Sequence, residues 1–195
     1  MQKIILATNS PYRQEAFKAL GLDFISEGAD VEERFGGRPK SPEELVRYLA
    51  RLKAEAVARR HSQGIVIGFD SVGWFEGRVL EKVKTREEAL LRLRMLSGKN
   101  YQFFTGIHMI NLSSGKTLQK ISKTEIFMRE LTDSEISRYL DQDSRYTTFA
   151  HGYDPQIRYY SSTFIKRIEG SYNDVLTGIP LEEIVEMLKE IGLRI

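Results

Sequence analysis

The sequence predicts an α/β protein built on a mixed, twisted β-sheet flanked by helices. Three observations carry that prediction. A short apolar strand at the N-terminus, Lys3–Ala7, runs straight into a capped helix start. Helix signals then alternate with strand signals along the chain. The strand signals are of two kinds: a continuous apolar run at Ile65–Phe69, as a strand buried on both faces requires, and paired segments around short turns, which fold back antiparallel.

Taken in order, the first strand empties into Thr8-Asn9-Ser10-Pro11-Tyr12-Arg13. Ser10 suits the N-cap and Pro11 the first helical position. Such a junction gathers unpaired N–H groups and a positive dipole end around one point, a ready anion site, and Arg13 adds a cation with a forked donor set. The same junction also opens many α/β proteins in which it binds nothing. Three later segments read as capping boxes, a hydroxyl answered by Glu three residues on: Ser41-Pro42-Glu43-Glu44, Thr85-Arg86-Glu87-Glu88 and Thr132-Asp133-Ser134-Glu135. The first opens a helix of about 20 residues with Leu45, Leu49, Leu52 and Ala56 on one stripe. The second carries Ala89, Leu93 and Leu96 and stops at Gly98. Trp74-Phe75 and Arg78–Glu81 flank Glu76-Gly77 as a tight hairpin, and Tyr101–Asn111 and Thr117–Met128 flank Ser113-Ser114-Gly115 as a longer one. Tyr160–Ile168 reads as a further strand. A last helix starts at Pro180, carries Leu181, Ile184, Val185, Leu188 and Ile191, and ends at Gly192.

Composition narrows the function classes. With 195 residues, no repeats and no low-complexity linkers, the chain reads as one continuous domain over residues 1–195. Its 29 basic and 27 acidic side chains leave a net charge of +2, which provides no electrostatic footprint for nucleic acid. No stretch approaches the ~18 apolar residues of a membrane span, and no signal peptide is evident, so a cytoplasmic protein without a membrane partner is expected. Zero cysteines exclude disulfides, thiolate nucleophiles and Cys-based zinc sites. His61, His108 and His151 lack metal-ligand spacing, so any metal is expected to be a hard cation on carboxylates.

The candidates for chemistry are individually ambiguous. Asp70 follows the apolar run directly, which places it at the carboxyl end of a central strand, where ligands of α/β sheets gather; Asp-Ser before Gly73 is equally good turn chemistry. Lys53, on the apolar side of its helix, reads as a cation for a ligand or as a lysine snorkelling to water. Lys82, with Lys84 and Arg86 close behind, is by default a solvated basic loop. Glu32-Glu33 look like surface charge, although few carboxylates plus phosphate and water are what Mg²⁺ prefers. Together they suit a polyphosphate with a divalent metal. No GxxxxGK[ST], GxGxxG or GxSxG segment is present, so the residues alone lead to a phosphate-binding α/β protein and no further.

Read in order, the segments resemble the Maf family of nucleoside triphosphate pyrophosphatases, relatives of the inosine-triphosphate pyrophosphatases. The matching pieces are Ile5–Arg13, Val31-Glu32-Glu33, Leu49–Ala54, Gly68-Phe69-Asp70-Ser71, Gly77–Lys82 and Leu96-Ser97-Gly98. They continue through Thr105-Gly106, Gly152-Tyr153, Gln156, Gly170–Asn173 and Gly178–Leu181. The resemblance implies two lobes with a cleft, and hydrolysis of a non-canonical or surplus nucleoside triphosphate to monophosphate and pyrophosphate, with Mg²⁺, Mn²⁺ or Co²⁺. By position, Ser10 and Arg13 bind phosphates, Lys53 and Lys82 neutralise the triphosphate, Glu33 and Asp70 hold the metal, and Asp70 activates the water that attacks the α-phosphorus. Gln156 lies on the nucleoside side, and Tyr12 or Trp74 stacks on the base, core packing being the commoner role for Trp74. The resemblance further implies a homodimer, for which Tyr101–Asn111 is the expected surface.

Several positions depart from the family pattern. Tyr12 stands where the pyrimidine-preferring branch carries an arginine and where the branch acting on methylated guanosine triphosphate often has an aromatic, whereas Gln156 matches the pyrimidine branch, so the base, whether pyrimidine, methylated guanine or inosine/xanthine, stays open. Val83 replaces the proline that commonly follows the lysine. Thr148-Phe149 occupy the place of an Asp-Lys pair, with Asp154 and Glu169 as substitutes for the missing carboxylate. These departures leave open a purine-type enzyme acting on inosine or xanthosine triphosphate, and a non-catalytic nucleotide-binding regulator of cell division.

Overall fold

The computed structural model describes residues 2–33, 36–156 and 158–193. In chain order the elements are β1 (Ile4–Ala7), α1 (Pro11–Lys18), β2 (Phe24–Ser26), α2 (Pro42–Ala58), β3 (Ile65–Phe75), β4 (Arg78–Leu80), α3 (Arg86–Leu96), β5 (Asn100–Asn111), β6 (Thr117–Met128), α4 (Asp133–Gln142), β7 (Ile165–Glu169), α5 (Tyr172–Thr177) and α6 (Leu181–Glu190). Hydrogen bonds order the strands β2-β1-β3-β5-β6-β7, with β4 on β3. Pairing is parallel for β1 with β2 and β3, and antiparallel for β3 with β4 and for β6 with β7. The sheet is therefore mixed, as the sequence predicts. No helix among the described residues is long and apolar enough to cross a membrane.

Contacts group the chain into two compact units. The first comprises Met1–Ser71, Thr105–Ser122 and Thr177–Ile195, and the second Val72–Phe104 and Lys123–Leu176. In the first unit the alternation of strand side chains builds two cores. Ile4 and Leu6 of β1 join Ile65, Ile67 and Phe69 of β3 against α1 and α6, while Ile5, Ala7 and Val66 pack with Ala54 and Val57 of α2. Two glycines let α2 lie directly on the sheet. A Cβ on Gly68 would come within 2.2 Å of the Ala50 carbonyl oxygen, and one on Gly106 within 2.3 Å of that of Val46. The second unit buries Phe75, Leu80, Val83, Leu93, Leu96, Tyr101, Phe103, Ile126, Tyr139, Tyr153 and Phe164 in one core.

Helix starts match their sequence signals. Ser10, Ser41, Thr85 and Thr132 all cap, and Pro11 and Pro42 open their helices. The reciprocal capping box forms at Thr132 with Glu135; at Thr85 the Glu88 carboxylate instead accepts from the Lys84 N–H at 2.7 Å. Three expectations are corrected. β3 does not stop at Phe69 but continues to Phe75, because Val72, Trp74 and Phe75 are good strand formers that pair onward with β4. The expected strand at Tyr160–Ile168 splits into a 3₁₀ turn over Tyr160–Thr163 and the shorter β7. Finally, Tyr101–Asn111 lies within β5, an interior strand between β3 and β6, with most of its side chains buried within the chain, so it does not offer the expected dimer surface.

Candidate active site

Alternation along β3 puts Val66, Gly68 and Asp70 on the face that α2 covers. Asp70 does not sit at the end of its strand. It lies two residues beyond Gly68, the last partner of β1, where the parallel pairing with β1 ends and β3 runs on towards its pairing with β4. Its side chain is 8% exposed and accepts from the Lys53 ammonium at 2.6 Å. Lys53 is not snorkelling: its side chain is 13% exposed, and its Nζ lies 2.6 Å from Glu33 as well. Glu33, 54% exposed, is thus less a surface charge than a second carboxylate on the same ammonium. Burial pushes the Asp70 carboxyl above its ordinary value, against the pull of Lys53 and Arg13. A carboxylate so placed is a stronger base than an exposed one.

The other face of the same strand meets α1. Ser10 caps α1, its hydroxyl accepting from the Arg13 N–H at 3.5 Å, so the predicted helix start is in place. The Arg13 guanidinium spreads over three acceptors: the Gly178 carbonyl at 3.1 Å, the Phe69 carbonyl at 3.4 Å and the Ser71 hydroxyl at 2.8 Å. Ser71 Oγ also accepts from Thr105 at 2.8 Å and lies 3.3 Å from the Gly178 carbonyl, to which it donates. Arg13 therefore splints β3 on either side of Asp70, through Phe69 and Ser71. Sequence reasoning singled out neither Ser71 nor Thr105 for a role. Their only signal was adjacency to Asp70 and to Gly106 within the matched segments, because the hydroxyl–guanidinium cluster joins residues more than 30 positions apart. Tyr12, on the first turn of α1, is half-buried.

The second unit holds the remaining candidates. Lys82 follows β4 in a segment without regular structure, and its neighbour Val83 is buried in that unit's core. Gln156 donates its side-chain N–H to the Leu176 carbonyl at 3.0 Å, and its backbone N–H to Asp154 Oδ1 at 2.8 Å. Asp154 is fully buried and ion-paired with Arg145 at 3.0 Å, so it is committed to shaping the Gln156 turn. Glu169 pairs with Arg167 on β7. Phe149 is buried, and the Thr148 hydroxyl donates to the Arg145 carbonyl. Trp74 is half-exposed beside Lys99, Gln102 and Glu125 rather than in the core. Sequence reasoning also missed a buried polar chain in this unit: Tyr101 Oη lies 2.9 Å from both His151 Nδ1 and Tyr153 Oη, and His151 Nε2 donates to the Val175 carbonyl at 3.1 Å.

Two carboxylates that already share one cation are a donor set suited to Mg²⁺ or a similar hard ion, which takes few carboxylates and completes its shell with phosphate and water. Among the described residues no cluster of three or more His, Asp or Glu side chains converges, so a richer all-protein cage is not offered. The residues present fit a metal brought with a polyphosphate.

A mixed sheet flanked by helices, with a capped helix start, a guanidinium and a buried Asp–Lys pair in one unit, defines an α/β protein with a charged, partly buried site. The family model "Maf-like protein" matches residues 3–191, and the chain belongs to that family. It is 37% identical over 195 residues to a dTTP/UTP pyrophosphatase of Desulforamulus reducens, covering 100% of each chain. It is 38% identical, again over 100% of both chains, to a dTTP/UTP pyrophosphatase of Pelotomaculum thermopropionicum. A solved nucleoside-triphosphatase / dITP/XTP pyrophosphatase from Mycobacterium abscessus superposes with a TM-score of 0.47 at 15% identity, over 98% of each chain.

Proposed function

We propose that this protein hydrolyses a nucleoside triphosphate to the monophosphate and pyrophosphate, with dTTP and UTP as preferred substrates and removal of surplus nucleotides as its purpose. The observation that carries the reading is Asp70, a buried carboxylate on a braced strand with an ammonium at 2.6 Å. Asp70 accepts a proton from water. The water oxygen bonds to the α-phosphorus as the bond to the bridging β-phosphate oxygen breaks, and pyrophosphate leaves. Burial brings the carboxyl nearer neutrality, where a general base is most effective. Lys53 and Lys82 offset the charge of the triphosphate, with the N-terminus of α1 at Ser10 as a further anion-binding point. Arg13 acts through its positive charge and by fixing Phe69 and Ser71 around the base. A divalent cation held by Glu33 and Asp70, Mg²⁺ or else Mn²⁺ or Co²⁺, supplies further charge neutralisation when bound.

Two observations support dTTP and UTP, the first over purine nucleotides and the second over cytosine nucleotides. The relatives at 37% and 38% identity carry dTTP/UTP in their names. The Gln156 amide, pinned through Nε2 to Leu176, presents its carbonyl oxygen as an acceptor. That acceptor complements the N3–H of uracil and thymine and not the unprotonated N3 of cytosine.

The test is pyrophosphate release from UTP, dTTP, CTP, ITP, XTP, 7-methyl-GTP and the standard purine triphosphates, with Mg²⁺, Mn²⁺ or Co²⁺. Turnover is expected for dTTP and UTP. Asp70→Asn is expected to lower it by ~10² or more, the scale of general base catalysis, with nucleotide binding retained. Selective turnover of ITP or XTP refutes the base assignment. Folded protein that binds nucleotide and turns none over refutes the enzyme reading in favour of a regulator. Light scattering of the same sample tests the expected homodimer.

A further inference from the structure

The segment carrying Lys82 has no regular structure between β4 and α3, yet it is held at three points, all from unit 2. The Lys84 N–H donates to Glu88. The Val83 side chain is buried. The Arg92 guanidinium, one helical turn beyond Glu88 on α3, donates from Nη2 to the Glu81 carbonyl at 3.0 Å. That carbonyl belongs to the Glu81–Lys82 peptide, so Arg92 sets the plane from which the Lys82 side chain departs. The same arginine stem meets the second candidate segment. Gly152, at φ +82°, leaves no Cβ, and one added there would lie 3.3 Å from both Arg92 Cγ and Val83 Cγ1. Four residues on from Gly152 stands Gln156.

Arg92 is a costly residue for this position. Its Nη1 is buried with no hydrogen-bond partner among the described residues, and burial disfavours its charge. An apolar side chain of similar length would fill the space without that penalty. A residue that costs stability and whose paired donor holds the peptide before a lysine has its explanation in that lysine. We propose that Arg92 is a positioning residue for substrate binding, acting through Lys82 and braced against the Gly152 turn. This rests on the reading above that Lys82 meets the triphosphate.

The test compares wild type, Arg92→Met, Arg92→Lys, Lys82→Ala and the double variant Lys82→Ala/Arg92→Met, in thermal unfolding and in steady-state hydrolysis of dTTP. Arg92→Met keeps the stem and removes the donors. Its melting temperature is expected to equal or exceed that of wild type, while KM rises about tenfold, the scale of one lost charge-assisted hydrogen bond, with kcat little changed. Arg92→Lys, which keeps a cation and a donor, is expected to recover most of the KM. In the Lys82→Ala background the Arg92→Met change is expected to add nothing. An unchanged KM in Arg92→Met, or effects that multiply in the double variant, overturns the inference while leaving the pyrophosphatase reading intact. A Lys82→Ala enzyme with wild-type KM overturns both the inference and the role of Lys82 on which it rests.

Discussion

Gly68→Ala tests whether the close seat of α2 on the sheet is what brings Lys53 to Asp70. The added Cβ would stand 2.2 Å from the Ala50 carbonyl oxygen, 2.6 Å from the Ala54 nitrogen and 2.8 Å from Ala54 Cβ. All three belong to α2, and two are backbone atoms, so no side-chain rotation relieves the overlap. The helix must move off the strand by about 1 Å to restore ordinary contact. Overpacking of this kind costs about 3 kcal/mol, which for a chain of this size lowers the melting temperature by roughly 6–12 °C. Lys53 lies on the turn between Ala50 and Ala54, so the same shift would stretch its 2.6 Å contact with Asp70 by up to about 1 Å. A misplacement of that size costs on the order of 10² in turnover. The assay is pyrophosphate release at a temperature where circular dichroism shows the variant folded, with Gly36→Ala as a control, since a Cβ there meets nothing within 4 Å. A Gly68→Ala protein that melts with wild type and turns over within about twofold of it would refute the argument.

Other expectations follow from the same geometry. His151 is buried and its pKa is held down to about 4, so the folded protein keeps it neutral while the unfolded chain takes up a proton near pH 6.5. Stability is therefore lost as pH falls from about 6.5 towards about 4, by up to about 3 kcal/mol, and this contribution levels off below. His151→Asn, which cannot titrate, is expected to flatten the wild-type dependence in that window, and parallel urea-unfolding curves against pH for the two proteins would contradict it. Tyr12→Ala is expected to raise KM for the best nucleotide with kcat little changed. Unchanged kinetics would place Tyr12 outside the base pocket.

Local signals were the legible part of this chain. Caps at Ser10, Ser41, Thr85 and Thr132 depend on a hydroxyl and its next three residues, and each formed where the sequence put it. The apolar run at Ile65–Phe69 and the Glu76-Gly77 turn were equally local. What escaped was decided by distant partners. Lys53 reads as a snorkelling lysine until β3 places a carboxylate under it, and the strand extends past Asp70 because β4 returns to pair with it. β2 and α5 are too short, at 3 and 6 residues, for periodicity to distinguish them from loop. The Tyr101–His151–Tyr153 chain spans about 50 positions, beyond any spacing rule.

The strand that carries Asp70 also carries the chain's one tryptophan. Trp74 pairs with Val79 of β4 and belongs to the second compact unit, whereas the backbone signal of helices and strands comes from both. Indole fluorescence therefore watches one unit, and far-ultraviolet dichroism watches the whole chain. Denaturation curves from the two, recorded on unlabelled protein, report whether the units come apart together or in sequence. Coincident midpoints mean that the two units unfold in a single cooperative transition, and separated midpoints give each unit a stability of its own.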